Sequence, residues 1–147
     1  QLLDRFGRSV EVSSPADIEQ RVSVIERRDA FERNPKKFIQ KWAPEEAKVR
    51  NAILAARAAL KSIKSPKKIL RDCAELCVNL GADGLRGELT LLRASRALAA
   101  YEGKPAVENT HLRAIAPLAL SHRLRRDPLD EAGSGARVER AVSEILG

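Results

Sequence analysis

Residues 66–101, PKKILRDCAELCVNLGADGLRGELTLLRASRALAAY, decide the fold. Ile69, Leu70, Cys73, Leu76, Cys77 and Leu80 recur at steps of three and four, the spacing that lines one face of an α-helix. The run stops at Gly81-Ala82-Asp83-Gly84, a glycine turn of the kind that ends helices. A second helix is predicted from about Leu85 to Tyr101, closed by Glu102-Gly103-Lys104-Pro105. Downstream, Leu112, Ile115, Leu118 and Leu124 mark a third helix over about Glu108–Arg125, with Pro117 as a kink. After the loop RRDPLDEAGSG, Ser134 or Gly135 opens a last amphipathic helix carrying Val138, Ala141, Val142, Ile145 and Leu146. Short connections favour antiparallel neighbours, so residues 43–147 are predicted to form a helical domain built as a bundle.

Upstream the pattern changes. Val10 and Val12 alternate with Ser9 and Glu11, which predicts a strand over about 8–12. Ser14-Pro15 offers a cap and a first-turn proline for a helix over about 15–33, with Ile18, Val22 and Ile25 on its apolar face. Asn34-Pro35 interrupts it, and KKFIQKW predicts a short helix ending near Trp42. Another helix is predicted from Pro44 to about Lys61, with Val49, Ile53, Ala56 and Leu60 on one face. A single strand cannot make a sheet, and its partners are expected in sequence that lies elsewhere. Methionine is absent altogether, so the chain is expected to be a piece of a longer polypeptide. The fold class is therefore mainly α: a helical bundle after residues 1–42, which supply the edge of a truncated α/β core and a connection.

The 147 residues are 44% hydrophobic, enough to build a core. No stretch approaches the roughly 18–20 apolar residues of a membrane helix, and the N-terminus lacks signal-peptide anatomy. With only two cysteines, Cys73 and Cys77, a soluble protein of a reducing compartment is expected. The net charge of +7 invites a nucleic-acid reading. Interspersed acids and an aromatic content of 3% argue against it, because few rings remain on which bases could stack.

Cys73 and Cys77 lie four apart, as two metal ligands on one helix face would, but a closed zinc site needs two more. His111 and His122 do not supply the spacing of a known zinc module, so no metal site is predicted and the thiols read as small buried hydrophobes. His122-Arg123-Leu124-Arg125-Arg126 is the densest basic stretch. It fits a phosphate or acidic contact, or a solvated helix C-terminus where cations favour the dipole. Arg86 comes just after the glycine turn, with Thr90 and Arg93 on roughly the same face. It suits an anionic group at a helix N-terminus, or equally a surface ion pair with Glu88 or Asp83. Gly103-Lys104 lacks the other residues of a phosphate loop, and no nucleophile elbow is present.

LLDRFGRSVEV, SPADIEQRVSVIERRDAF, DGLRGELTLLRASRALAA and LALSHRLRRDPLDEAGSGARVERAV together resemble the C-terminal part of the ATPase (I) subunit of magnesium chelatase, in its bacteriochlorophyll-synthesis form. The resemblance implies an AAA+ ATPase that assembles into a homo-oligomeric ring, usually six-membered, with a related second AAA+ subunit. ATP hydrolysis, with Mg²⁺ bound alongside the nucleotide, would drive a large porphyrin-binding subunit to insert Mg²⁺ into protoporphyrin IX. It implies a cytoplasmic protein, or a stromal one in a plant or alga, with no nucleic-acid partner and no membrane span.

Matched residue by residue, LLDRFG makes Arg5 the arginine finger that reaches ATP on the neighbouring subunit, with Asp4 at the same interface. DGLRGE makes Arg86 the sensor-2 arginine. Without a phosphate loop, the chain by itself is expected neither to bind ATP tightly nor to hydrolyse it. Two rivals remain: a related AAA+ partner subunit or chelatase-like ATPase, and a basic helical nucleic-acid module. The partner would continue into an acidic, proline-rich linker, whereas this chain runs to Gly147 as an amphipathic helix, which favours the I subunit.

Overall fold

The computed structural model describes residues 6–10, 12–82, 85–124 and 133–147. Six α-helices succeed one another: α1 (Ile18–Arg33), α2 (Pro35–Ala59), α3 (Lys67–Asn79), α4 (Arg86–Tyr101), α5 (Asn109–Leu120) and α6 (Gly133–Leu146). A single 3₁₀ turn, Ser121–Arg123, extends α5. The chain divides into two compact units, Gln1–Val10 with Ala55–Gly147, and Glu11–Leu54.

The larger unit is the bundle predicted from the periodicity. Ile69, Cys73, Leu76 and Cys77 of α3 meet Leu91, Ala99 and Ala100 of α4 in one core. Leu112, Ile115, Ala116, Ala119 and Leu120 of α5 and Val138, Ala141, Val142 and Leu146 of α6 complete it. α4 packs chiefly on α5, and α6 bridges α5 and α3. α4 and α5 bring both small and large side chains to this core, Ala99, Ala100, Ala116 and Ala119 beside Leu91, Leu112 and Leu120.

The two glycine stops work as expected. Gly81 and Gly103 take φ values of 65° and 70°, a left-handed conformation that glycine enters without steric cost. Each closes a Schellman pair. After α3, Gly81 N–H donates to Val78 O (3.1 Å) and Ala82 N–H to Cys77 O (2.9 Å). After α4, Gly103 N–H donates to Ala100 O (3.2 Å) and Lys104 N–H to Ala99 O (2.8 Å). The connection into α3 is pinned to the one into α5 by Lys64 N–H to Pro105 O and Val107 N–H to Lys64 O, both 2.9 Å.

Several expectations are corrected. The strand over about 8–12 does not form among the described residues, which contain no strand, because a strand exists only as a rung in a ladder and no segment here pairs with it. Instead Ser9 N–H donates to Leu118 O (2.8 Å), laying the segment along α5. Asp17, not Ser14, caps α1, accepting from Gln20 N–H at 2.8 Å. α2 does not break at Trp42 but runs through Pro44. Proline removes one hydrogen bond, and the carbonyl it orphans, that of Gln40, belongs to an exposed residue that water can serve.

Within the smaller unit the apolar positions are not buried. Ile18 and Ile25 stand 72% and 67% exposed, and α1 and α2 contain no buried residue. Phe31 meets Phe38 edge-on at 5.7 Å, Phe38 meets Trp42 at 6.0 Å, and the Arg27 guanidinium lies 5.2 Å from the Trp42 ring centre.

Candidate functional site

Arg86 is the first residue of α4 and is exposed to solvent. Its neighbour Gly87 sets its position. Gly87 is buried, and a Cβ built there would meet Cys77 Sγ at 3.3 Å and Ala82 Cβ and Leu120 Cδ2 at 3.6 Å. The first turn of α4 thus lies directly against α3 and α5 because its second residue has no side chain. Glu88 completes the turn, an acid where the helix dipole favours one. Thr90, half-buried, lies just over one turn further on, close to the face that Arg86 begins, and Arg93 lies about two turns along it.

Under this turn lie the thiols. Burial pushes Cys73 up to about 12, with the carboxylates of Asp72 and then Glu88 adding to the shift. Burial likewise raises Cys77 to about 12, reinforced by Glu88 and Cys73 and opposed by Arg123. Both are protonated, unreactive core groups.

The N-terminal segment reaches the same end of the bundle. The Phe6 carbonyl accepts from His122 Nε2 at 3.0 Å and from Arg123 Nη2 at 2.9 Å. Arg123 Nε donates to Ala119 O at 3.0 Å, bracing the guanidinium against the last turn of α5. Gly7 passes Thr90, whose Cγ2 lies 3.8 Å from where a Gly7 Cβ would be. The residues next to Arg5 in sequence therefore lie about one helical turn from Arg86. Asp4 and Arg5 themselves lie outside the described residues, as do Arg125 and Arg126.

The solvated helix end expected at His122 and Arg123 is instead a pair of half-buried contacts to backbone. His111 has a structural task. Buried in α5, it accepts from Glu108 N–H through Nδ1 (2.8 Å) while Glu108 accepts from the His111 N–H, a reciprocal capping box. Because Nδ1 accepts, the proton sits on Nε2, which faces Glu102 Oε2 at 3.2 Å. Gly87 and the Phe6 carbonyl are the parts sequence reasoning did not find. An absent side chain and a backbone oxygen leave no periodic signature.

Among the described residues no three His, Cys, Asp or Glu side chains converge as metal ligands, and no helix is long and apolar enough to cross a membrane.

The sequence pattern of the AAA lid domain matches residues 70–145, from α3 to α6. The magnesium-chelatase 38 kDa subunit of Cereibacter sphaeroides is 63% identical over 146 residues, which cover 99% of this chain and 44% of that protein. That of Rhodobacter capsulatus is 61% identical over 146 residues, with 99% and 42% covered. The magnesium-chelatase subunit ChlI of Anabaena variabilis is 38% identical over 147 residues, with 100% and 44% covered. The chain thus spans less than half the length of these relatives. A helical bundle on which the lid pattern falls from its first helix to its last, and a likeness that extends beyond it in both directions, lead to one assignment: the chain belongs to the AAA lid domain family, in the form similar to magnesium-chelatase 38 kDa and ChlI subunits.

Proposed function

We propose that this chain is the C-terminal part of the AAA+ motor subunit of a magnesium chelatase, in which ATP hydrolysis drives insertion of Mg²⁺ into protoporphyrin IX. The observation that carries the reading is 63% identity to a magnesium-chelatase 38 kDa subunit across 99% of the chain. Residues 1–42 are then the edge of the nucleotide-binding core and a connection, and 43–147 its helical domain. The subunit works in a ring, usually of six, with a second AAA+ subunit and a porphyrin-binding subunit.

Arg86 takes the sensor-2 role. Its exposed guanidinium, in the first turn of a helix whose N–H groups point outward, fits an anionic phosphate, and its planar fork makes two-point contacts that lysine cannot. Arg5 takes the role of arginine finger for the adjoining subunit, with Asp4 beside it at the interface. The nucleotide supplies the phosphoanhydride bond whose cleavage is coupled to the work. Arg5 would place positive charge where negative charge develops on the transferred phosphoryl group, an effect worth about 10³–10⁵ in rate.

The test is ATP turnover and nucleotide binding in the full-length protein. Arg5→Ala is expected to lower turnover by about 10³ or more while nucleotide binding persists. Arg86→Ala is expected to lose turnover as well, and Arg86→Lys not to restore it. Wild-type turnover in Arg5→Ala would remove the finger assignment, and wild-type turnover in Arg86→Ala would remove that of sensor 2.

A further inference from the structure

We propose that His122 and Arg123 are positioning residues for the finger: by gripping the Phe6 carbonyl they lock the loop that carries Arg5 to the α5 end of the helical domain. The inference rests on the finger role proposed for Arg5 and adds to it the residues that hold its loop.

The Phe6 carbonyl has two lone pairs and two donors, His122 Nε2 at 3.0 Å and Arg123 Nη2 at 2.9 Å. A carbonyl can only accept, so Nε2 carries the imidazole proton. Nδ1 of His122 is buried without a partner among the described residues, so the ring is oriented by its contact with Phe6. Arg123 is braced separately by Ala119 O at 3.0 Å, so its reach toward Phe6 does not depend on a mobile side chain. A further tether comes three residues on, Ser9 N–H on Leu118 O at 2.8 Å.

The consequence for Arg5 comes from covalent geometry. Successive Cα atoms lie about 3.8 Å apart, so a Phe6 held at its carbonyl keeps the origin of the preceding side chain within that short distance of a fixed point. A guanidinium that must meet a developing charge gains from that restriction, since a misplacement of about 1 Å can cost about 100-fold in rate. The clamp is also a mechanical link. α5 and α4 belong to the lid bundle that carries Arg86, so a movement of the lid would be passed to a finger serving the adjoining subunit.

The experiment uses the full-length protein and mixed rings. Alone, the double variant H122A/R123A is expected to lower turnover by about 10- to 100-fold with nucleotide affinity within about 3-fold of wild type. His122→Gln, which keeps an N–H near the same place, is expected to retain most of the turnover. A finger acts on its neighbour's site, so the double variant should have an intact site and a misplaced finger. Mixed with subunits that carry a lysine-to-alanine change in the phosphate loop of the nucleotide-binding core, which have an intact finger and a damaged site, it should regain activity; mixed with Arg5→Ala subunits it should not. A merely unfolded variant would rescue neither.

Wild-type turnover in H122A/R123A, loss of activity without recovery on mixing with the phosphate-loop variant, or recovery on mixing with Arg5→Ala would each overturn the clamp. Arg5→Ala run alone separates the two levels: if it turns over at the wild-type rate, the finger reading fails, and the clamp falls with it for that reason.

Discussion

Replacing Gly87 with alanine sets two effects of similar size against each other. A helical glycine is worse than alanine by about 0.8–1.0 kcal/mol, so on propensity alone the change stabilises α4, by somewhat less in its first turn. The new methyl, however, would sit 3.3 Å from Cys77 Sγ, closer than ordinary packing, and 3.6 Å from Ala82 Cβ and Leu120 Cδ2, which is normal contact. Cys77 and Leu120 are fully buried, so neither can swing toward solvent. Relieving the crowding means displacing α3 from α4, and overpacking of this kind costs about 1–3 kcal/mol.

The expected sum is a loss of about 1 kcal/mol, measured as the shift in urea midpoint at constant m. The cause is isolated by removing the opposing atom. Cys77→Ala deletes the sulfur, so Gly87→Ala should be neutral or stabilising in that background, giving a coupling of about 1 kcal/mol in the double-mutant cycle. A Gly87→Ala protein more stable than wild type, or a cycle whose changes add to within about 0.3 kcal/mol, would refute the claim that this glycine is required by close approach.

Two further tests concern the buried polar groups. His111→Ala should cost about 2–4 kcal/mol, since it strips a cap from Glu108 N–H and empties a buried site, whereas His111→Gln preserves the reciprocal bond and should cost distinctly less; equal losses in urea unfolding would show that the capping contact is not what matters. The thiols predict alkaline sensitivity. Their ordinary value of 9.0 is raised to about 12 in the folded chain, so above pH 9 the unfolded chain releases protons first and binds fewer than the folded one. Stability is then complete below pH 9 and falls through pH 12, by up to about 1.4 kcal/mol per pH unit for each thiol. Alanine at both positions should flatten that part of the pH profile, and an unchanged slope would show that the thiols are not its source.

How much of this was legible depended on what covers each helix. The α3–α6 periodicity translated into a core because the four helices bury one another, and Gly81 and Gly103 marked the stops because the left-handed residue of a Schellman turn is a property of one position. For α1 and α2 the same periodicity said only that Ile18, Ile25, Val49 and Ile53 share apolar character. Burial needs an opposing surface, and none is named by the residues themselves. The alternation around Val10 failed as a strand for the corresponding reason, since pairing is a relation between segments. Pro44 misled in the opposite way: a strong local breaker was tolerated because the one carbonyl it orphans lies on an exposed face.

The two arginines divide the problem differently. Family likeness gives Arg5 and Arg86 their proposed roles, yet neither role says how a guanidinium on a flexible stem is brought to one place. In this fold the answer lies in the residue after each. Arg86 precedes a glycine whose missing side chain lets α4 sit on Cys77 and Leu120; Arg5 precedes a phenylalanine whose carbonyl is held by His122 and Arg123. Both devices act on backbone, and both converge on α5, through Leu120 in one case and the turn at 121–123 in the other. A disturbance of that helix end, such as Leu120→Ala, should therefore perturb both arginines together, whereas a change on the exposed face of α6 should perturb neither.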